Sequence, residues 1–424
     1  MAPTRTLTAT LLATGSLVLL AACGGGDETS GQGGDELTYW ARGANEAINQ
    51  QLVDAWNETH DVQIELLAVP DDEYNQKLAA AVQAGTPPDV VTVDVVHVPR
   101  LARGGALDPI TDQAKELPFF DTLFQSYVDY STYEGDIYAL PENVDASTLY
   151  WNKNLFEQAG LDPEKPPRSF AELKEYAEKI SALGDDTYGF YFSGQCVGCN
   201  DYTFSPLVWA SGGDFVSEDG TTATLTDPAV ADALRLYRDL WESGAVPDQA
   251  ETDTGANWVS SFGSGNIGMI GLGAFAISQM SENFPDVDYG VATLPGKDGG
   301  ESSFTGGDVI AIPSGAEHPD AAWEFVKWSL TDAAQVDVYA KNGKLVARSD
   351  LIENEYATEN PKVVAHNRAL QAGRLPVYHP NSAEIDAPTG PFNSAFQEIV
   401  FGGADPESVL PSAEEEFQRL LDQG

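Results

Sequence analysis

The chain has 424 residues, of which 42% are hydrophobic and 10% aromatic, enough apolar material for a large core and for two domains. It carries 66 acidic and 22 basic residues, a formal net charge of -44, and such a field repels phosphate backbones, so we expect no nucleic-acid partner. The acidic residues are spread along the whole length among aromatic ones, which argues against disorder. Solubility outside the cell or adaptation to salt explains them better than a cationic ligand does.

The N-terminus is typical of an exported protein. Residues 1–22 contain one charged side chain, Arg5, followed by an apolar run, which predicts a secretory signal peptide. The tetrad Leu20-Ala21-Ala22-Cys23 resembles a bacterial lipobox, whose cysteine becomes the acylated first residue of the mature protein. A plain signal peptide with an incidental cysteine is the alternative. Residues 23–36 are rich in Gly, Asp and Glu and predict a flexible tether, so a lipidated Cys23 would be the only attachment to the membrane.

Strand and helix patterns alternate after the tether. Residues 37–40 and 61–67 predict strands, and the stripe of Ile48, Leu52 and Trp56 predicts a helix between them. A second helical pattern covers residues 74–84 and ends before Pro87-Pro88, and residues 89–96 predict a third strand. This order predicts an α/β unit with a parallel sheet.

Polar side chains stand where the strands of this unit end. Asp94 and His97 finish the third strand, and the loop of residues 41–46 follows the first strand. Because ligands of open α/β sheets collect outside the carboxyl ends of the strands, we expect these positions at the rim of a ligand cleft. Alternatively, His97 is a loop residue that does not contact a ligand.

The rest of the chain predicts an excursion into a second domain and a return. Residues 140–152 predict a crossing between domains, and residues 153–285 predict a more helical domain, in which Ser169 and Glu172 form a capping box. From residue 287 strand patterns return, and the last hundred residues are mostly helical in pattern. The chain is therefore expected to visit one domain, then the other, then the first again.

The remaining cysteines, Cys196 and Cys199, predict a small structural disulfide, since exported proteins oxidise pairs this close. A thioredoxin-like redox site would need the pair to open a helix after a strand, and zinc would need two further ligands nearby. The sequence pattern indicates neither context, and two free thiols are the remaining alternative.

Motifs for catalysis and cofactors are weak. Residues 263–268 match G-x-G-x-x-G, but a helical pattern precedes them and a strand pattern follows, the reverse of a dinucleotide site. Acidic pairs such as Asp71-Asp72 are expected by chance among 66 acidic residues, so they do not indicate a glycosidase. We therefore predict no catalytic residue, no metal site and no cofactor.

Several short motifs, weak singly, occur in an order that resembles extracellular solute-binding protein family 1, the maltodextrin-binding-like sugar receptors of ABC importers. The resemblance covers nearly the whole chain. Its marks are the lipobox, AGTPPDVV at 84–91, LYWNKNLF at 149–156 ahead of AGL at 159–161, SGG at 211–213, FGSG at 262–265, and the run from Gly306-Gly307 through Ile312-Pro313 to AAWEF at 321–325.

This resemblance implies the two-lobed α/β fold of periplasmic binding proteins, type II-like, with hinge crossings and an interlobe ligand cleft that closes around a solute. The expected lobes are residues 37–143 with 287–345, and residues 144–286 with 346–424. The implied function is that of a monomeric, non-enzymatic lipoprotein receptor on the outer face of the bacterial cell membrane, which delivers a disaccharide or short oligosaccharide to the transmembrane subunits of an ABC permease. A binding protein for a cationic or peptide ligand and an exported glycoside-active enzyme are the alternatives.

Carried over by position, the resemblance also predicts the residues that line the cleft. These are Arg42, Asn45, Glu46, Asp94, His97, Asn143, Asp145, Trp209, Phe275, Gly306, Gly307, Asp308, Arg374 and Tyr378. Sugar sites combine flat aromatic rings with carboxylates, amides and arginines, which suits this set. For Trp209 and Phe275 core packing is the alternative, and Arg374 could pair a structural carboxylate instead.

A narrower likeness, to actinobacterial trehalose-binding lipoproteins, rests on Asp94-Val95-Val96 and the late Arg374. Those proteins place a tryptophan near the position of Gly273, where this chain continues with Ala274-Phe275. A disaccharide or short oligosaccharide is therefore a better prediction than trehalose itself.

Overall fold

The computed structural model describes residues 36–184, 186–379 and 381–423. The predicted signal peptide, Cys23 and nearly all of the predicted tether lie outside the described residues. No helix within the described ranges has the length and apolarity that crossing a bilayer requires.

The first part of the chain forms the predicted alternation of strands and helices. Its elements are β1 (Glu36–Arg42), α1 (Glu46–Asn57), β2 (Gln63–Val69), α2 (Asp71–Ala84) and β3 (Val90–Asp94). The predicted stripe of α1 is buried, and α2 ends at Gly85, whose φ of 72° closes the helix in the left-handed conformation that glycine tolerates. The third strand is shorter than predicted, because the Asp94 side chain accepts the N–H of Val96 and turns residues 95–97 into a 3₁₀ helix.

The chain then completes the first half and crosses to the second. The elements are α3 (Val98–Arg103), α4 (Thr111–Lys115), α5 (Gln125–Tyr130), β4 (Thr132–Tyr133), β5 (Asp136–Ile137), β6 (Ala139–Ala146) and β7 (Thr148–Asn152). Strand β6 belongs to the first sheet and β7 to the second, so residues 139–152 are a crossing, as the sequence pattern predicts.

The second half is more helical. Its elements are α6 (Lys153–Gln158), α7 (Phe170–Ser181), β8 (Tyr188–Tyr191), α8 (Val197–Ala210), α9 (Pro228–Glu242), α10 (Trp258–Gly263), β9 (Ile267–Leu272), α11 (Phe275–Asn283) and β10 (Tyr289–Ala292). The capping box is present at α7, where Ser169 Oγ accepts the N–H of Glu172 at 3.2 Å.

The chain returns to the first sheet and finally crosses again. The elements are β11 (Leu294–Pro295), β12 (Glu301–Ala311), α12 (Pro319–Ser329), α13 (Asp332–Ala334), α14 (Glu355–Glu359), α15 (Pro361–Gln371), β13 (Gly373–Arg374), α16 (Ser382–Ile385), α17 (Pro391–Val400) and α18 (Pro406–Leu421).

The strands form two main sheets. The first has the order β11-β12-β3-β1-β2, with β6 and β13 also paired to β12; β1 is parallel to β2 and β3, and β12 is antiparallel to β3 and β6. The second has the order β10-β7-β9-β8, with only β8 and β9 parallel. The architecture is two-lobed and α/β, which confirms the predicted fold class.

Each sheet has its own hydrophobic core, and the cores show where the chain changes lobes. The first core extends to Leu375, and the second takes over from Ile385. This last change comes later than the expected boundary at 346, because α14 and α15 place Ala357, Val363 and Leu370 in the first core.

Candidate functional site

A cavity of about 1080 Å³ lies between the two lobes. The carboxyl ends of the strands in the first sheet, including the ends of β1 and β3, form one wall. Helices α8, α10 and α11 form the other, together with residues 376–379, 382, 385–386 and 392–393. Parallel strands β1 and β3 end at the same edge of the sheet, so the strand order alone places Arg42 and Asp94 together there.

An arginine held by two carboxylates lies at this edge. Arg42 Nη1 donates to Asp94 Oδ2 at 2.9 Å and to Asp308 Oδ1 at 2.7 Å, and Asn45 Nδ2 donates to Asp308 Oδ2 at 2.6 Å. Burial raises the pKa of the Asp308 carboxyl, and the Arg42 guanidinium opposes this rise. Arg42, Asn45 and Asp94 line the cavity, whereas Asp308 is fully buried behind them. Asp308 therefore orients cavity residues and does not itself line the cavity.

The crossing strands supply the floor. Asp145 Oδ1 accepts the N–H of Ala274 at 2.7 Å and the N–H of Ala146 at 2.8 Å, which ties the end of β6 to the start of α11. Burial raises the pKa of Asp145 to about 6, against the effect of these two hydrogen bonds. Asn143, Gly306 and Gly307 complete this floor.

Aromatic rings line the opposite wall. Trp258 and Phe275 have ring centroids 5.5 Å apart, and Tyr202 contacts both Trp258 and Phe304, with centroids at 6.2 and 5.5 Å. Trp258, Phe275 and Tyr202 line the cavity on this second-lobe wall, and Phe304 of β12 continues the apolar surface from the first sheet.

Two predicted site residues support this wall from behind. Trp209 stacks on Phe304 in the first core and donates Nε1–H to Asp214 Oδ1 at 3.0 Å. The Arg374 guanidinium lies over the Trp209 ring, 4.9 Å from its centroid, and pairs with Asp214. Trp209 and Arg374 do not line the cavity, whereas Asp214 does.

The structure brings most of the predicted residues together. Those that line the cavity are Arg42, Asn45, Asp94, His97, Asn143, Asp145, Phe275, Gly306, Gly307 and Tyr378. Glu46 is exposed in the first turn of α1 and, like Trp209, Asp308 and Arg374, is not part of the lining. Contact of any of these residues with a ligand stays a prediction.

The sequence interpretation missed one helix face of the site. Gly198, Asp201, Tyr202 and Ser205 of α8 all line the cavity and recur at positions i, i+3, i+4 and i+7. This polar spacing within an apolar helix is a signal that could have indicated them. Other cavity residues that were not predicted include Tyr130, Trp258, Gln279, His379, Asp386 and Asn393.

Burial decides the charge of the ionisable groups at the rim. It lowers the pKa of His97 to about 4, with the Arg100 and Arg42 charges acting in the same direction, so His97 is neutral at pH 7. On the second lobe burial raises the pKa of Asp201 well above its usual value, and the Asp386 carboxyl adds to the rise. The cavity thus presents a neutral imidazole and carboxyl groups to its contents.

The predicted disulfide between Cys196 and Cys199 is present. The sequence interpretation was wrong on its context, since the pair opens α8 after strand β8. The aromatic and glycine-rich residues 188–195 obscured that strand-to-helix order.

Two lobes with separate cores, three crossings between them and a cavity walled by both define a two-lobed solute-binding protein. A sequence profile of the bacterial extracellular solute-binding proteins matches residues 41–336. The chain belongs to this family and is therefore a binding protein and not an enzyme.

Similar proteins cover almost the whole chain. The diacetylchitobiose binding protein DasA of Streptomyces coelicolor is 26% identical over 437 residues, 99% of each chain. The GacH receptor of Streptomyces glaucescens, solved unliganded and with acarbose, is 28% identical, with a TM-score of 0.76 over 92% of this chain and 98% of that one. The cyclic alpha-maltosyl-1,6-maltose binding protein of Arthrobacter globiformis is 24% identical, with a TM-score of 0.81 over 92% of this chain and 100% of that one; at this identity it shows the fold alone.

Proposed function

We propose that this protein is the sugar-binding component of an ABC importer, which captures a disaccharide or short oligosaccharide between its lobes. The observation that carries the proposal is the make-up of the two walls. Strand-end carboxylates, an arginine and amides face a surface of aromatic rings across one cavity. A sugar has apolar ring faces edged with hydroxyls, so the rings would pack on its faces and the polar wall would orient its hydroxyls.

The size of the cavity supports more than a monosaccharide. Its volume of about 1080 Å³ lies just above the range of about 300–1,000 Å³ that small-molecule sites occupy. The names of relatives above 25% identity agree, because DasA binds diacetylchitobiose and GacH was solved with acarbose. These ligands support a short saccharide without choosing one for this chain.

Asp94 is the residue we expect to matter most for affinity. Its side chain is 29% exposed, and each carboxylate oxygen already accepts one hydrogen bond, from Val96 and from Arg42. Since a carboxylate oxygen accepts more than one hydrogen bond, Asp94 can also accept a sugar hydroxyl in a charge-assisted bond.

The chain segments that cross between the lobes support a role in transport, because they allow the lobes to close on a ligand. A sugar that contacts both walls stabilises the arrangement in which both contacts exist, and the closed form would be the one that the permease recognises. The lipobox-like residues 20–23 support anchoring to the outer face of the cell membrane through Cys23. The monomeric state is part of the proposal and rests on the family resemblance alone.

A cationic solute is the second candidate, because several carboxyl groups line the cavity. Asp201 has the Asp386 carboxyl as its neighbour, whereas Asp94 and Asp214 pair with arginines. An amine cation bound beside these two carboxyl groups would favour their ionised forms, against the burial that raises the pKa of Asp201.

A calorimetric screen tests both candidates, with intact disaccharides and short oligosaccharides in one arm and polyamines and peptides in the other. We expect saturable binding of a saccharide and no release of monosaccharide; saturable binding in the other arm alone contradicts the proposal. In the saccharide arm, Asp94→Ala should weaken binding at least about 100-fold, since it removes a charged contact and one of the two carboxylates that hold Arg42. Asp112→Ala, an exposed aspartate in α4, is the matched control and should bind like wild type.

A further inference from the structure

The disulfide lies directly behind the wall of the cavity. Cys196 caps α8, and its Sγ accepts the N–H of Cys199 at 3.2 Å. The two residues enclosed by the bridge, Val197 and Gly198, both line the cavity, and the lining continues along the same helix face to Asp201 and Tyr202. The bridge therefore constrains the first turn of the helix that supplies this wall.

A second wall segment rests on the sulfur atoms. A Cβ placed on Gly255 would lie 2.8 Å from Cys196 Sγ and 2.9 Å from Cys199 Sγ, so this glycine packs directly on the bridge. Three residues later Trp258 lines the cavity, and its N–H donates to the Gly255 carbonyl at 3.2 Å. The disulfide is thus enclosed between the start of α8 and the segment that positions Trp258.

Buried hydrogen bonds hold this second segment in place. Asp253 is buried; its Oδ2 accepts Tyr191 O–H at 2.8 Å and Ser193 O–H at 2.6 Å, and its Oδ1 accepts the N–H of Gly255 at 3.2 Å. The Asp253 carbonyl accepts the N–H of Gln195, next to the bridge, at 2.9 Å. With its backbone fixed in this way, the segment can transmit a change at the sulfurs to the Trp258 ring.

The bridge contributes little to global stability by the usual mechanism. Cross-linking stabilises a fold mainly by restricting the unfolded chain, and the effect grows with the length of the enclosed loop. Here the cysteines are only three positions apart, so the loop is among the shortest possible. A bridge of this kind acts mainly on local geometry, and the local geometry is that of the cavity wall.

We propose that the Cys196–Cys199 disulfide is a positioning element of the sugar site, which sets Val197-Gly198 and Trp258 at the spacing that the ligand requires. The inference rests on the proposed function. Opening the bridge would let the first turn of α8 move relative to the Gly255 segment, which the hydrogen bonds of Asp253 hold in place. The sugar would then have to order this wall on binding, which lowers its affinity.

The test compares oxidised wild type, wild type reduced with a phosphine, and the double variant Cys196→Ser with Cys199→Ser. The phosphine takes oxygen from water to become the phosphine oxide, while the S–S bond gains two electrons and two protons and gives two thiols. The dissociation constant for the saccharide found in the screen and the melting temperature of the ligand-free protein are measured on each form. We expect both bridge-free forms to bind about tenfold more weakly, with a melting temperature within a few degrees of wild type.

Two controls separate positioning from stability. Phosphine should not change the affinity of the double variant. Ile399→Val, in the second core and away from the cavity, should lower the melting temperature and leave the dissociation constant unchanged.

Equal affinity of the oxidised, reduced and double-variant forms would overturn this inference and leave the proposed function intact. Absence of saccharide binding by oxidised wild type would instead contradict the proposed function, and the inference with it.

Discussion

Asp94 uses its two carboxylate oxygens for different contacts: Oδ1 accepts the N–H of Val96 and ends β3, and Oδ2 accepts a hydrogen bond from Arg42. The sequence pattern leaves open whether this residue caps a loop or faces a ligand. The structure shows the cap and a place in the cavity wall together. At the residue scale, one side chain can therefore join the fold to the site.

A second carboxyl group, Glu142 on β6, is fully buried beside the cavity floor. Its Oε1 accepts the Tyr39 O–H at 2.7 Å, and burial raises its pKa to about 8 in spite of this hydrogen bond. Between the ordinary pKa near 4.5 and the folded value, the folded state thus binds more protons at this site than the unfolded state does. Through this group the free energy of unfolding falls as the pH rises across that window and is level above it.

Glu142→Gln should remove this pH dependence, because the amide does not ionise while its oxygen can still accept the Tyr39 hydrogen bond. The variant should gain stability relative to wild type by at most about 1.4 kcal/mol per pH unit between roughly pH 5 and pH 8. Urea unfolding at several pH values measures the difference in free energy of unfolding between the variant and wild type. The other titrating groups are the same in both proteins, so their contributions cancel. A difference that stays constant over this range would contradict the assignment.

At the element scale, the crossing strands β6 and β12 place the floor of the cavity. Gly307 has a φ of 94°, and a Cβ there would lie 2.2 Å from the Asn143 carbonyl oxygen. The Tyr127 hydroxyl donates to the Gly306 carbonyl at 2.5 Å and to the Asp145 carbonyl at 3.1 Å, which joins the two strands from below. The close approach of the backbones requires glycine at this position.

Gly307→Ala should lower the free energy of unfolding by about 2–4 kcal/mol, since it adds both a left-handed alanine and a clash with backbone. It should also weaken saccharide binding, because Asn143 and Gly306 line the cavity. Gly85→Ala is the matched control: its φ is 72° and no atom lies within 4 Å of the added Cβ, so only about 1 kcal/mol should be lost. Chemical denaturation measures the free energy of unfolding of both variants. Equal losses in the two would contradict the prediction, because they would mean that the structure relieves the clash at residue 307.

At the scale of the whole molecule, two cores joined by three crossings allow the lobes to move as bodies about short connecting segments. The Arg374–Asp214 pair, stacked on Trp209, links β13 of the first sheet to the end of α8. When the lobes move apart, the Arg374–Asp214 pair must therefore either move together with one lobe or break.

Saturating saccharide should lower the radius of gyration, because the closed arrangement satisfies contacts to both walls. Small-angle X-ray scattering with and without ligand measures this change. Asp94→Ala at the same saccharide concentration should keep the radius of the ligand-free protein. An unchanged radius for wild type, under conditions where calorimetry shows binding, would contradict closure.

The predictability of each element depended on how local its signal was. The strand ends of the first sheet were predictable because periodicity locates a strand and the parallel order brings β1 and β3 to one edge. The lining face of α8 is marked only by the spacing of Asp201, Tyr202 and Ser205 among buried apolar residues, and such a spacing does not show what that face meets. The sequence also did not show whether the side chains of Trp209 and Arg374 face the cavity or pack behind it. Aromatic and basic residues occur in cavity walls and in cores alike.

The sequence by itself determined the α/β class, the first crossing, the capping box at Ser169 and the pairing of two close cysteines, all of which depend on neighbours along the chain. Only the tertiary structure decided that Asp308 holds Arg42, 266 positions away, and that Arg374 pairs with Asp214, 160 positions away. It also decided that the last change of core comes after Leu375. Such contacts are selected by the packing of helices on sheets, which no local pattern of residues records.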